Sequence, residues 1–239
     1  MIFRTEHPKP QFMRESWMNL NGEWQFETDN DNDGRERELF ADGVRLFGSI
    51  NVPFCPESRL SGVEYTDFMN SVWYKRSFTL DAEHLGGRVI LHFGAADQTA
   101  RVWLNGKPLG SHEGGYSHFS FDVTDALTAG ENLLTVCVTD ELDSHILPYG
   151  KQKHKRGGMW YTPVSGIWQT VWAESVPAEY IRDILFETRG DRVFARIDGA
   201  SAGEIRVFTP GGELSVPFSD GRAEFTLDSP RLWSPEDPY

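Results

Sequence analysis

Apolar and polar residues alternate with a period of two along most of the chain. Trp24 and Phe26 are interleaved with Gln25 and Glu27. Val72, Tyr74, Arg76, Phe78 and Leu80 share one strand face, and Trp73, Lys75 and Ser77 the other. The pattern recurs at Val89, Leu91 and Phe93; at Ala100, Val102 and Leu104; and at Phe119, Phe121 and Val123. It recurs again at Leu134, Val136 and Val138, and at Ile167, Gln169 and Val171. Such alternation suits a strand with one face on a core and the other wetter. Asn105-Gly106, between Arg101–Leu104 and Lys107–Leu109, predicts a type I′ hairpin, whose two central residues take positive φ. Helical periodicity is confined to a turn near 124–128. The prediction is an all-β chain.

Loop lengths divide it in two. Up to Ser175-Val176-Pro177-Ala178 the strands are separated by long loops (27–48, 53–71, 140–165), as in a jelly roll. Beyond it, short strands at 180–187, 192–198, 204–208, 213–218 and 223–228 are punctuated by Gly190-Asp191, Gly211-Gly212 and Asp220-Gly221. That spacing suits an immunoglobulin-like sandwich, which wants about seven strands where five are counted. The expected architecture is a jelly-roll (galactose-binding-like) sandwich over 1–176, then an incomplete immunoglobulin-like β-sandwich over 177–239, truncated at its C-terminus. An unpaired sheet edge there would favour self-association.

Composition narrows the function. Aromatics make up 13% of the 239 residues, and rings of that density suit sheets packed face to face. The net charge of −13 argues against nucleic acid and anionic membranes, which need a basic surface, while a neutral sugar is indifferent to it. No stretch approaches the ~20 apolar residues of a membrane helix, and the opening residues lack the pattern of a secretion signal. Two cysteines, Cys55 and Cys137, make no disulfide framework. A reduced, cytoplasmic chain is expected.

Several motifs fail on inspection. Asp29-Asn30-Asp31-Asn32-Asp33-Gly34 matches half a calcium loop, but Phe40 stands where a bidentate Glu is needed, so a solvated acidic loop with paired arginines is expected. His112, His118, His145 and His154 lack metal-ligand spacing, and His118 shares with Ser120 the outward face of a strand. Ser165 lacks the nucleophile elbow, since Pro163 replaces its first Gly. Gly157-Gly158 leads into aromatics rather than a phosphate-binding helix. No metal and no cofactor is expected. A glycosidase needs two carboxyl groups across its sugar site, and no acidic residue here sits in an obviously apolar setting. The segment 149–172 joins a basic loop to an aromatic turn. It reads equally as a sugar-binding rim or as a solvated loop beside core aromatics, with Trp168 and Trp172 on one strand face.

Seven segments in register carry a resemblance. His7-Pro8-Lys9-Pro10-Gln11-Phe12, Leu20-Asn21-Gly22-Glu23-Trp24-Gln25-Phe26 and Val72-Trp73-Tyr74-Lys75-Arg76-Ser77-Phe78 resemble the opening of glycoside hydrolase family 2. This is the β-galactosidase, β-glucuronidase and β-mannosidase group. Val102-Trp103-Leu104-Asn105-Gly106, Phe119-Ser120-Phe121-Asp122-Val123-Thr124 and Ser165-Gly166-Ile167-Trp168-Gln169 do likewise, and 232–239 resembles the close of its second domain. The resemblance implies a sugar-binding jelly roll, an immunoglobulin-like domain and then a (β/α)8 barrel holding both catalytic glutamates, the acid/base directly after an Asn. These residues contain no Asn-Glu dipeptide, so no catalytic residue is expected among them and the barrel is a missing partner. The resemblance also implies that 64–71 and the stretch into Trp160 reach the substrate site. Asp67 is the first candidate for a sugar hydroxyl contact, followed by Asn70, Arg156 and Trp160. Three readings follow in order: an accessory part of a retaining β-glycosidase, a free-standing carbohydrate-binding module, or a purely structural piece.

Overall fold

The computed structural model describes residues 2–80, 87–142 and 146–238. His145 therefore lies outside the described residues. The chain divides into two compact units, Met1–Val176 and Pro177–Tyr239.

The first unit opens with β1 (Trp17–Asn19), β2 (Gly22–Thr28), β3 (Gly48–Val52), β4 (Ser71–Thr79), β5 (Arg88–Phe93) and β6 (Ala96–Asp97). It continues with β7 (Thr99–Leu104), β8 (Lys107–Glu113), β9 (Phe119–Asp122), β10 (Glu131–Thr139), β11 (Gly166–Ile167) and β12 (Val171–Val176). A six-stranded sheet of order β3-β2-β4-β10-β7-β8 and a four-stranded sheet of order β1-β12-β5-β9 are both antiparallel. Their inner faces carry the alternating apolar residues. Trp24, Val72, Tyr74, Val102, Leu134 and Val136 from one sheet and Val89, Leu91, Phe93 and Ala173 from the other form one buried cluster. The expected Asn105-Gly106 turn takes φ values of 52° and 71°, the two positive values a type I′ turn demands.

The outer face of the six-stranded sheet departs from simple alternation. Trp73, Trp103 and Cys137 on that face are buried beneath Leu39 and Leu46 of the β2–β3 loop, with Trp73 and Trp103 stacked at 5.5 Å. Asp29 ties the loop down, accepting bonds from Trp73 Nε1 at 2.9 Å and from the amides of Asp33 and Gly34. Its carboxylate is thus committed to protein donors. Arg37 bonds Glu27 and Asp33, each at 2.6 Å, so the acidic loop does carry a paired arginine. Lys75, 1% exposed, donates to the carbonyls of Ala41 and Val44 at 2.6 and 2.5 Å. Burial holds its amine below the usual lysine range, with Asp42 opposing.

The expected strand through Ile167, Gln169 and Val171 is interrupted. β11 pairs with β6 and β12 with β5, so residues 168–170 form the bend between them. Trp168 and Trp172 therefore do not share a strand face. Trp168 Nε1 donates to Gly115 O at 2.8 Å, whereas Trp172 is buried on β12 with His92 stacked on it at 4.8 Å. His118, expected to serve only the surface, stays exposed but joins a chain on that side. It bonds His92 at 3.0 Å, His92 bonds Glu174 at 2.9 Å, and Arg14 grips both Glu174 oxygens at 2.7 Å. A cavity of about 530 Å³ remains there, lined by His7, Lys9, Phe54, His118, Trp168 and Trp172 among others.

The second unit holds β13 (Asp183–Arg189), β14 (Arg192–Asp198), β15 (Ala202–Thr209), β16 (Gly212–Ser219) and β17 (Arg222–Thr226), ordered β13-β14-β17-β16-β15. A single residue pair, Ser219 with Arg222, links β16 to β17, so a three-stranded part meets a two-stranded ribbon. Register pairs Ile184 with Ile197, Ala195 with Ala223 and Ile205 with Val216, placing apolar side chains opposite one another. The small core gathers on Ala195, Ile197 and Phe218.

Candidate functional site

Register fixes which end of the first sandwich carries the candidate residues. Thr28 pairs toward Val72, Thr139 with Ser71 and Thr99, and Thr99 with Glu113. The loops before β4, around β6, after β8 and after β10 therefore leave one end of the six-stranded sheet. Loop ends of a rigid sandwich are where binding groups are usually displayed.

The segments 64–71 and 151–160 converge there. Arg156 donates to Asp67 Oδ1 at 3.1 Å, and the Phe68 ring meets His154 edge-on at 4.2 Å. Asp67 and Arg156 both remain exposed, so the pair is open to a ligand. Asn70 serves the scaffold as well: its Nδ2 donates to Asn30 O at 2.5 Å, its amide to Asn30 Oδ1, and its carbonyl accepts from the Asp140 amide at 3.2 Å. Trp160 closes a turn with Gly157 through two reciprocal backbone bonds of 3.2 Å. Gly157 and Gly158 make that turn with φ of 117° and 63°, values open to glycine and strained for other residues. Lys153 Nζ sits 4.2 Å over the Trp160 ring, within cation–π range. Farther down, Tyr161 N donates to Lys151 O at 2.8 Å and Val164 N to Gln152 Oε1 at 2.6 Å, which ties the loop to buried Gln152. Met159 and Tyr161 are exposed beside half-buried Trp160.

Beneath this rim lies a group of acids that alternation did not reveal. Asp97 and Asp140 are each 5% exposed, which corrects the expectation that no acidic residue sits in an apolar setting. Burial, with the charge of Glu57 added, pushes the Asp97 carboxyl up to about 6. Burial, then Asp97, Glu57 and Glu141, push Asp140 up to about 7, and its Oδ2 has no hydrogen-bond partner. Burial also raises Glu57, opposed by bonds from Ser165. Ser165 Oγ donates to Glu57 Oε1 at 2.6 Å and is itself buried, a structural tie rather than a nucleophile's setting. Among the described residues, no group of three His, Cys, Asp or Glu is placed to hold a metal ion. A signal for the acids existed in sequence only as their place at strand ends, Asp97 closing β6 and Asp140 following β10.

Comparison with known proteins finds relatives among glycosidases. Residues 61–177, which span the candidate segments, match the family model described as glycosyl hydrolases family 2, sugar binding domain. A β-glucuronidase of Paenibacillus borealis is 28% identical over 97% of this chain and 42% of its own length. A β-galactosidase of Thermoanaerobacter pseudethanolicus is 26% identical over 72% of this chain and 25% of its own. Among solved structures, a β-glucuronidase from an uncultured Clostridium sp. superposes with a TM-score of 0.76 at 25% identity, over 99% of this chain and 43% of that one. The chain thus spans less than half the length of each of these relatives. Residues 61–177 thus carry the likeness to the sugar-binding domain of glycoside hydrolase family 2, in a fold that the chain shares with these glycosidases.

Proposed function

We propose that this chain is the non-catalytic N-terminal part of a retaining β-glycosidase, whose first unit supplies one wall of the substrate site. The observation that carries the reading is the Asp67–Arg156 pair, which draws two loops from distant parts of the sequence into one rim. Asp67 offers two acceptors for sugar hydroxyls, Arg156 offers donors, and Trp160 supplies an aromatic edge. Bond cleavage falls to a carboxylate pair outside these residues, and the buried acids beneath the rim take no part in it. Relatives named for glucuronides and for galactosides leave the sugar itself to the catalytic domain.

Kinetics of the full-length polypeptide carrying this chain test the reading. Asp67→Ala and Trp160→Ala should raise KM or lower kcat/KM by tenfold or more for a β-glycoside substrate, with melting temperature unchanged. Unaltered kinetics in both variants would remove these loops from the substrate site. The 239 residues alone should not hydrolyse aryl β-glucuronides or β-galactosides, and should hold monosaccharides no better than millimolar, because a half-pocket leaves polar groups unpaired. Micromolar monosaccharide binding by calorimetry would instead favour a free-standing carbohydrate-binding module.

A further inference from the structure

The loop that carries Trp160 has a charge opposite to that of its protein. From Ser144 to Ala173 the sequence has no Asp or Glu, yet Lys151, Lys153, Lys155 and Arg156 fall within six residues of a chain whose net charge is −13. Among the described residues, one acid, Asp67, forms a salt bridge to this cluster, through Arg156. Lys151 and Lys155 are exposed, and Lys153 lies over Trp160. The cations stand on a tied loop: the Gly157–Trp160 turn, the Tyr161–Lys151 backbone bond and the Gln152 anchor hold it at both ends. Met159 and Tyr161, on either side of Trp160, are exposed.

Four cations are concentrated in a stretch without Asp or Glu, just ahead of Trp160 and Tyr161, at the rim already assigned to carbohydrate. We propose that the 151–161 loop binds the anionic groups of an acidic saccharide, a carboxylate or sulfate carried on a neighbouring sugar unit. Lys151 and Lys155 take the anion, and Tyr161 lies against the apolar face of the ring. Arg156 exchanges part of its Asp67 pairing for the ligand, since an exposed ion pair is weak enough to be displaced. This inference rests on the carbohydrate reading of the rim and adds to it the charge of the ligand.

The experiment is calorimetry on the full chain with three tetrasaccharides of one backbone: hexuronate, carboxyl-reduced neutral, and sulfated neutral. A single-stranded DNA of matching charge and the Lys151→Ala/Lys155→Ala double variant complete the set. The expected result is at least tenfold tighter binding of the carboxylated or the sulfated chain than of the neutral one. That preference should shrink as salt is raised and be lost in the double variant. Preference for the carboxylate or for the sulfate form identifies which anion is read. Equal binding of neutral and acidic chains overturns the inference while leaving a carbohydrate rim intact. Unchanged affinity in the double variant also overturns it, as does DNA binding as tight as that of the acidic saccharide. Absence of binding by every saccharide sinks the inference, whereas the rim reading itself stands or falls by the kinetics of Asp67→Ala and Trp160→Ala.

Discussion

Replacing Asp140 by Asn should stabilise the first unit, and the gain should grow with pH. Asp140 is 5% exposed, its Oδ2 lacks a partner, and the charges acting on it are the carboxylates of Asp97, Glu57 and Glu141. Its folded carboxyl stands at about 7 against 3.8 for the free group, so between those values the folded state binds the extra proton. Stability therefore falls as pH rises from about 4 to about 7, and the full cost of ionising the buried acid applies above that window. A rise of that size corresponds to about 4 kcal/mol. Relaxation of the surroundings and shared titration with Asp97 reduce it, so about 1–3 kcal/mol is the gain expected for Asn at pH 8, with little at pH 4. At a urea slope of about 2 kcal/mol per molar, the midpoint at pH 8 should rise by roughly 0.5–1.5 M. Tryptophan fluorescence reports the event, because seven of the eight tryptophans, all but Trp233, belong to the first unit. A variant equally stabilised or destabilised at pH 4 and pH 8 would refute the electrostatic account of this site.

Two further outcomes can be measured on the same protein. Gly166 has φ of 78° and its Cα faces the Tyr74 hydroxyl so closely that no Cβ fits; Gly166→Ala should cost roughly 2–4 kcal/mol in urea unfolding, and a cost below about 1 would show the contact to be slack. Amides of 183–226 should exchange with deuterium faster than those of β4 and β10, because the second unit gathers its core on three buried residues and presents β15 as a sheet edge; equal protection in dilute protein would mean the unit is complete as it stands.

What the sequence disclosed depended on distance along the chain. Strands such as β5 and β7 were legible because alternation is local, and Asn105-Gly106 was legible because two residues define its turn. Burial of Trp73 and Lys75 was not, since it depends on Leu39, Leu46 and the carbonyls of a loop some 30 residues away. The break between β11 and β12 escaped notice because Ile167, Gln169 and Val171 keep the period of two across the bend. Asp67 and Arg156, 89 positions apart, were singled out by likeness to a family, and only the folded chain sets them 3.1 Å apart. Asp97 and Asp140 read as ordinary polar residues at strand ends, and their burial depends on the folded chain rather than on local periodicity.

The covered outer face of β4 bears on how this strand holds its alignment. In a half-exposed strand, a slip of one position would turn polar side chains inward and apolar ones outward, an error that water itself corrects. From Ser71 to Lys75 every residue of β4 is buried, so solvent cannot tell the right alignment from its neighbour. Polar bonds proofread it instead. Only one phase puts the Trp73 indole against Asp29 and the Lys75 amine between the Ala41 and Val44 carbonyls. The two residues act as keys cut for a single lock, and they carry information that hydrophobicity alone cannot encode at the centre of a sheet buried on both sides.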